Sequence, residues 1–265
     1  MIQTLDQGRA ISAAERGARQ FCALLERADR PDALAVGTWR VRDVGAHLTG
    51  VTAYTAMLRG VPSPARSLDG IAAWNAANAA SAAHLDCASL AARVRDDYAG
   101  FLGEARRHPA DELIGWHAGL QLPAATVCAI LAGEAYIHGW DIARALRAPW
   151  RLDPRDMRTI FTGLLPVLPH YVDPQRAAGC TATFDLRLRG DPPTGAVLSF
   201  TGGRLTVQAP AGQHAHCRIS ADPGTYLLIT YGRSGPLIPA LTGKITASGR
   251  QPWLGVKLPQ MFRNP

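Results

Sequence analysis

Apolar residues recur at three- and four-residue steps through the first two thirds of the chain, and at two-residue steps through much of the last third. The first spacing lines one face of a helix and the second lines one face of a strand. Ile11, Ala14, Ala18, Phe21, Leu24 and Leu25 predict an amphipathic helix over Ile11–Ala28, ended by Pro31. Val41, Val44, Leu48 and Val51 predict a second helix from about Val41 to Leu58, with His47 on its apolar stripe. Gly60 to Pro64 reads as a loop. From about Asp69 the pattern turns helical again, through Ile71, Trp74, Asn75 and Asn78 and on to Leu85, Leu90, Val94, Tyr98, Phe101 and Leu102. It predicts one long helix to about Arg107, interrupted near Asp86-Cys87. Pro123 to Ala148 predicts a fourth helix, closed by Pro149, and Pro154 to Leu168 a shorter fifth. Four long amphipathic helices imply a bundle, whose facing side chains are where metal sites are built.

After about Tyr171 the texture changes. Thr181–Arg189 and Ala196–Phe200 alternate in period two, Gly202-Gly203 marks a hairpin turn, and Arg204–Ala209 follows as its return strand. Ala215–Ala221 predicts another strand. Asp222-Pro223 opens a helix that runs to Tyr231, since proline is favourable in a first helical turn. Lys244–Ser248 predicts the last strand. His214 and His216 alternate onto one strand face and are expected to be solvated. The fold class is therefore α+β in two domains: residues 1–170 a helical bundle and residues 171–265 a small α+β domain.

Composition narrows the functions. Apolar residues make up 47% and charged residues 18% of the 265, as in a globular protein with ample core. No apolar run is long enough for a transmembrane helix, and Met1–Asp6 lacks the pattern of a signal peptide, so a cytoplasmic location without membrane association is expected. Five scattered cysteines, Cys22, Cys87, Cys128, Cys180 and Cys217, form no CxxC and predict free thiols. The net charge is +7, yet the arginines are dispersed and no basic run suggests a nucleic-acid partner. The charge suits a small anionic substrate instead.

The candidate chemistry lies in the fourth helix. Glu134 and His138 are four residues apart and Asp141 lies three further on, so all three share one helix face. The preceding Ala124–Ala132 segment is apolar nearly all round, as in a buried helix. A carboxylate and an imidazole buried there are costly unless paired, hydrogen-bonded or bound to metal. An ordinary Glu–His pair and a metal site both satisfy that requirement. His47 is equally open, as a core histidine or a ligand, with Asp43 one turn earlier placed to orient its ring.

Three motifs then carry a resemblance: Trp39-Arg-Val-Arg-Asp-Val-Gly-Ala-His47-Leu48, Trp74-Asn75, and Glu134-x-x-x-His138-x-x-Asp141. Together they resemble the mycothiol-dependent maleylpyruvate isomerase family. The match of Tyr226-Leu-Leu-Ile-Thr-Tyr-Gly232-Arg233 and Gly243-x-Ile-x-x-x-Gly249 to its second domain is looser. The resemblance implies a DinB-like metal-binding four-helix bundle joined to a domain like the sterol carrier protein. It implies His47, Glu134 and His138 as ligands of zinc or another divalent metal, and mycothiol as the thiol cofactor or co-substrate. Trp74, Asn75, Asn78 and Asp141 are then assigned to cofactor binding, and Arg233 to contact with an anionic group in catalysis. Partners would be a small thiol and a small electrophile, for isomerisation or S-transfer. Two departures stand out. Arg40 occupies a position where the family often has a small hydroxyl residue, and no arginine lies between Arg66 and Arg93 to meet the carboxylates of maleylpyruvate. A metal-activated water, giving a hydrolase, and a ligand-binding protein with a structural metal are the alternatives.

Overall fold

In the computed structural model, residues 4–210, 212 and 214–263 are described. Helix α1 (Gln7–Glu26) starts at Asp6, whose carboxylate accepts from the Arg9 amide. A short hairpin, β1 (Leu34–Val36) and β2 (Trp39–Arg40), leads into α2 (Val41–Leu48). The second helix expected from the sequence is two helices: α2 ends at Leu48 and α3 spans Val51–Leu58. At the break the Thr49 and Gly50 amides fold back three residues, onto the carbonyls of Ala46 and His47. The third is likewise divided, near the expected interruption, into α4 (Leu68–Ala82) and α5 (Cys87–Ala105), each with its own cap. Ser67 accepts from Gly70 N and Asp86 from Ser89 N.

A second hairpin, β3 (Leu113–Gly115) and β4 (Gln121–Pro123), precedes α6 (Ala124–Leu146). Helices α1, α5 and α6 pack on one another, while α2 packs against α4 and α3 against α5. Phe21, Leu25, Val44, Leu90, Val94, Phe101, Leu131 and Ala135 fill the interior at no measurable exposure. Burial of such side chains contributes about 1.5–3 kcal/mol each before chain entropy is counted.

The chain forms two compact units that divide between Leu152 and Asp153. The helix expected to end the first domain, α7 (Pro154–Leu164), belongs to the second unit. Its Phe161 ring lies 5.6 Å from that of Tyr226, and Arg158 donates to the carbonyls of Arg189 and Asp191. The second unit holds β5 (Ala182–Leu188), β6 (Thr194–Thr201), β7 (Arg204–Gln208), β8 (Cys217–Ala221), α8 (Pro223–Thr230), α9 (Leu237–Leu241), β9 (Ile245–Ser248) and α10 (Leu254–Lys257). Its sheet has the order β7-β6-β5-β8-β9. Neighbours are antiparallel except β5 and β8, which run parallel with Leu186 opposite Ile219. Strand β8 starts at Cys217, later than expected. His216 just before it is half-buried: its amide donates to Thr183 O and its Nδ1 accepts from Thr183 N, which prolongs the pairing with β5.

Candidate metal centre

Helix α6 carries two of the converging groups. Its ligand-bearing stretch is clamped by Trp150, whose indole N–H donates to the Tyr136 carbonyl at 3.0 Å. The indole lies so close to the helix that a β-carbon on Gly139 would stand 2.1 Å from it. Only glycine admits that approach. On the face beside it, Glu134 Oε2 stands 3.3 Å from His138 Nε2 and 3.3 Å from His47 Nε2. His47 comes from α2, whose buried stripe turns it inward at 7% exposure. The two imidazoles meet edge to face at 4.9 Å between centroids, with Trp39 against His47 at 5.0 Å.

One donor atom from each of His47, Glu134 and His138 lies within 4.8 Å of the other two. Two imidazoles and a carboxylate are the protein ligands of a recognised catalytic zinc set, and the donors present fit a divalent metal. Asp141 is fully buried, and His138 Nδ1 donates to its Oδ2 at 3.2 Å. That bond fixes the tautomer and leaves Nε2 facing Glu134, as carboxylates behind ligand histidines do. Burial opposes charge on both groups, yet the His138 imidazole is raised to about 9 by Asp141 and Glu134. Glu134 is driven well below the usual carboxylate range because both histidines outweigh its desolvation.

The other residues singled out in the sequence take distinct places. Asn78 on α4 donates to the carbonyls of His47 (2.9 Å) and Ala46 (3.3 Å) at the break between α2 and α3. A β-carbon on Gly50 would press on that amide at 2.9 Å. The break and the asparagine therefore jointly hold the His47 end of α2. Trp74 and Asn75 lie one turn earlier on α4, with Trp74 against Tyr54 at 5.7 Å and His117 at 5.2 Å. Asp43 does not orient His47: its Oδ2 accepts from the Arg40 amide at 2.8 Å, closing the start of α2. Arg40 instead pairs with Asp32. Arg233 lies in the second unit, where its Nη1 donates to the Tyr231 carbonyl at 2.7 Å.

The sequence reading quotes Trp39 without a role and passes over Tyr54, Trp116 and His117. The available signal was a pair of short apolar runs, Leu113–Trp116 and Leu120–Pro123, on either side of His117-Ala118-Gly119, which fits a hairpin presenting a histidine at its turn.

The sequence from 11 to 143 matches the model of the mycothiol maleylpyruvate isomerase N-terminal domain, half of the chain. The chain belongs to this family. It is thus an enzyme of a thiol-dependent kind, as the motifs around His47 and Glu134 implied. Its fold is similar to the crystal structure of the mycothiol-dependent maleylpyruvate isomerase, at 15% identity and a TM-score of 0.56, over 92% of this chain and 93% of that one. A histidine-to-alanine mutant of that enzyme matches equally well, at 14% identity and a TM-score of 0.57, over the same shares. No curated protein sequence matches the chain. Among the described residues no helix is long and apolar enough to cross a membrane.

Proposed function

We propose that this member of the family is a divalent-metal enzyme that uses mycothiol to isomerise, or to transfer sulfur to, a small electrophilic and anionic metabolite. The observation that carries this is the convergence of His47, Glu134 and His138 from two helices onto one point. A bound zinc would supply the positive charge that keeps a neighbouring thiol in its reactive thiolate form at neutral pH. Mycothiol would supply a sulfur that adds to an electron-poor double bond and leaves after rotation, or stays on the product.

The chain's own residues do the rest. Asp141 holds the His138 ring in register, and Asn78 holds the His47 end of α2. Trp39 packs against both ligand imidazoles, at 5.0 Å from His47 and 6.5 Å from His138. Helix α4 and its flanks offer no arginine or lysine between Arg66 and Arg93. The electrophile need not be maleylpyruvate, whose two carboxylates would ask for cations there.

The test begins with metal. Purified protein should hold about one zinc or other divalent ion per chain, and His47→Ala and His138→Ala should each lose it by elemental analysis. Full occupancy in either variant would refute the ligand assignment. Consumption of candidate electrophiles should then require mycothiol. Turnover that needs only water would point to a hydrolase instead.

A further inference from the structure

The hairpin turn between β3 and β4 presents His117 in a way the preceding reading leaves unused. Ala118, directly after it, sits in the left-handed region at φ 58°, ψ 25°, a conformation that a non-glycine residue adopts only where its surroundings impose it. The imposed contact is visible: the Ala118 amide donates to the Ala65 carbonyl at 2.9 Å. Ser63, on the same loop, meets His117 Nδ1 at 2.7 Å and donates its own proton to Ala65 O at 3.2 Å. That contact occupies Nδ1 and leaves Nε2 as the ring nitrogen free to meet a ligand.

His117 is 3% exposed, and among the described residues its Nε2 has no hydrogen-bond partner. The Oδ1 of Asn75 is in the same position, buried and without a partner among the described residues. Asn75 belongs to α4. Trp74 touches the His117 ring at 5.2 Å, and Asn78, one turn on, holds the carbonyl of the candidate ligand His47. Glu134 is near enough for its charge to act on His117, although burial is the larger effect and depresses the imidazole to about 4. The ring is therefore neutral at working pH and too weak a base to take a proton from a thiol. Its Nε2 and the Asn75 Oδ1 are buried polar atoms, and such atoms are costly to leave without a hydrogen bond. Tyr54 and Trp116 close the other sides of the ring at 5.6 and 5.0 Å.

We propose that His117 is a ligand-binding residue beside the candidate metal centre, its Nε2 and the Asn75 Oδ1 hydrogen-bonding to hydroxyl or amide groups of the bound thiol. The proposal rests on the thiol-dependent reading above. It adds a selectivity device: a thiol lacking such groups leaves both atoms unsatisfied and binds poorly.

The test uses the zinc-loaded full chain, titrated calorimetrically with mycothiol and with propanethiol, which has no donor beyond its sulfur. His117→Phe should weaken mycothiol about tenfold and leave propanethiol unchanged, with zinc content and melting temperature retained. His117→Gln, whose amide oxygen can stand near the Nε2 position, should recover part of the loss. Should His117→Phe not fold, Ser63→Ala and the nitrogen resonances of His117 in the unaltered protein serve instead. Mycothiol should shift the Nε2 signal and bind Ser63→Ala a few-fold more weakly. Binding of mycothiol with His117→Phe within twofold of the parent, or with Nε2 unmoved, overturns this inference and leaves the thiol reading intact. No binding of mycothiol to the unaltered zinc protein overturns that reading and this inference with it.

Discussion

His138 keeps its proton against burial because a carboxylate faces each ring nitrogen, Asp141 at Nδ1 and Glu134 at Nε2. The consequence for pH follows from sign. A pKa raised from 6.5 to about 9 stabilises the metal-free fold fully below 6.5 and loses that contribution as pH rises through 9. Glu134, lowered from 4.5, contributes above 4.5 and is lost as acid drops through its depressed value. Urea melts of the chelated protein should therefore show a lower midpoint at pH 9.5 than at pH 6. Zinc affinity should run the other way, rising up to about pH 9, because metal must displace the His138 proton. A pH-independent zinc affinity would refute the pairing. Thiol chemistry at the residue scale points outside the protein. Burial raises Cys22 to about 11 and Cys128 to about 12, and raises the Cys87 thiol too, so none supplies a thiolate near neutrality. Replacing each with alanine should leave mycothiol-dependent turnover within about threefold, less than ~1 kcal/mol of barrier. A hundredfold loss in one variant would place the nucleophile in the protein.

Helix α6 concentrates the site's requirements in one element. It carries Glu134, His138 and Asp141 on one face and takes the Trp150 indole at Gly139. Gly139→Ala would force that ring off the helix, and overpacking of this kind costs about 1–3 kcal/mol. Thermal melts should show the loss, and the Tyr136–Trp150 bond should weaken with it. A variant as stable as the parent would mean that Trp150 can shift freely. The face of α6 was legible in the sequence because offsets of four and three residues fix it, and burial followed from the apolar run before it. The break after His47 was not. Val41 to Leu58 keeps its three- and four-residue spacing straight through Thr49-Gly50, and what stops the helix there is a contact with Asn78 from a distant helix. His117 escaped for a related reason. Its burial depends on Ser63 and Trp74, neither of which its own neighbourhood in the chain announces.

At the scale of the molecule, composition and periodicity separated a helical region from an α+β one, since period-two runs begin only after Tyr171. The place of α7 could not be read that way. An amphipathic helix advertises a buried face but not what covers it, and here the cover is Tyr226 with the carbonyls of Arg189 and Asp191. The parallel pairing of β5 and β8 was equally hidden, because strand patterns specify faces and not neighbours. The candidate ligands have a further consequence in the statistics of the chain. His47 and Glu134 are 87 residues apart in sequence. An ion held by both is a cross-link that closes a large loop of the unfolded polymer, and closing one of that size removes roughly 4.5 kcal/mol of chain freedom in the entropic model. Spread over a unit of this size, that is a shift of roughly 10 °C in melting temperature. Calorimetry with and without a chelator should move the transition of the helical unit by about that much and leave that of the sheet unit in place. Equal movement of both, or of neither, would show that the ion does not tie the two helices.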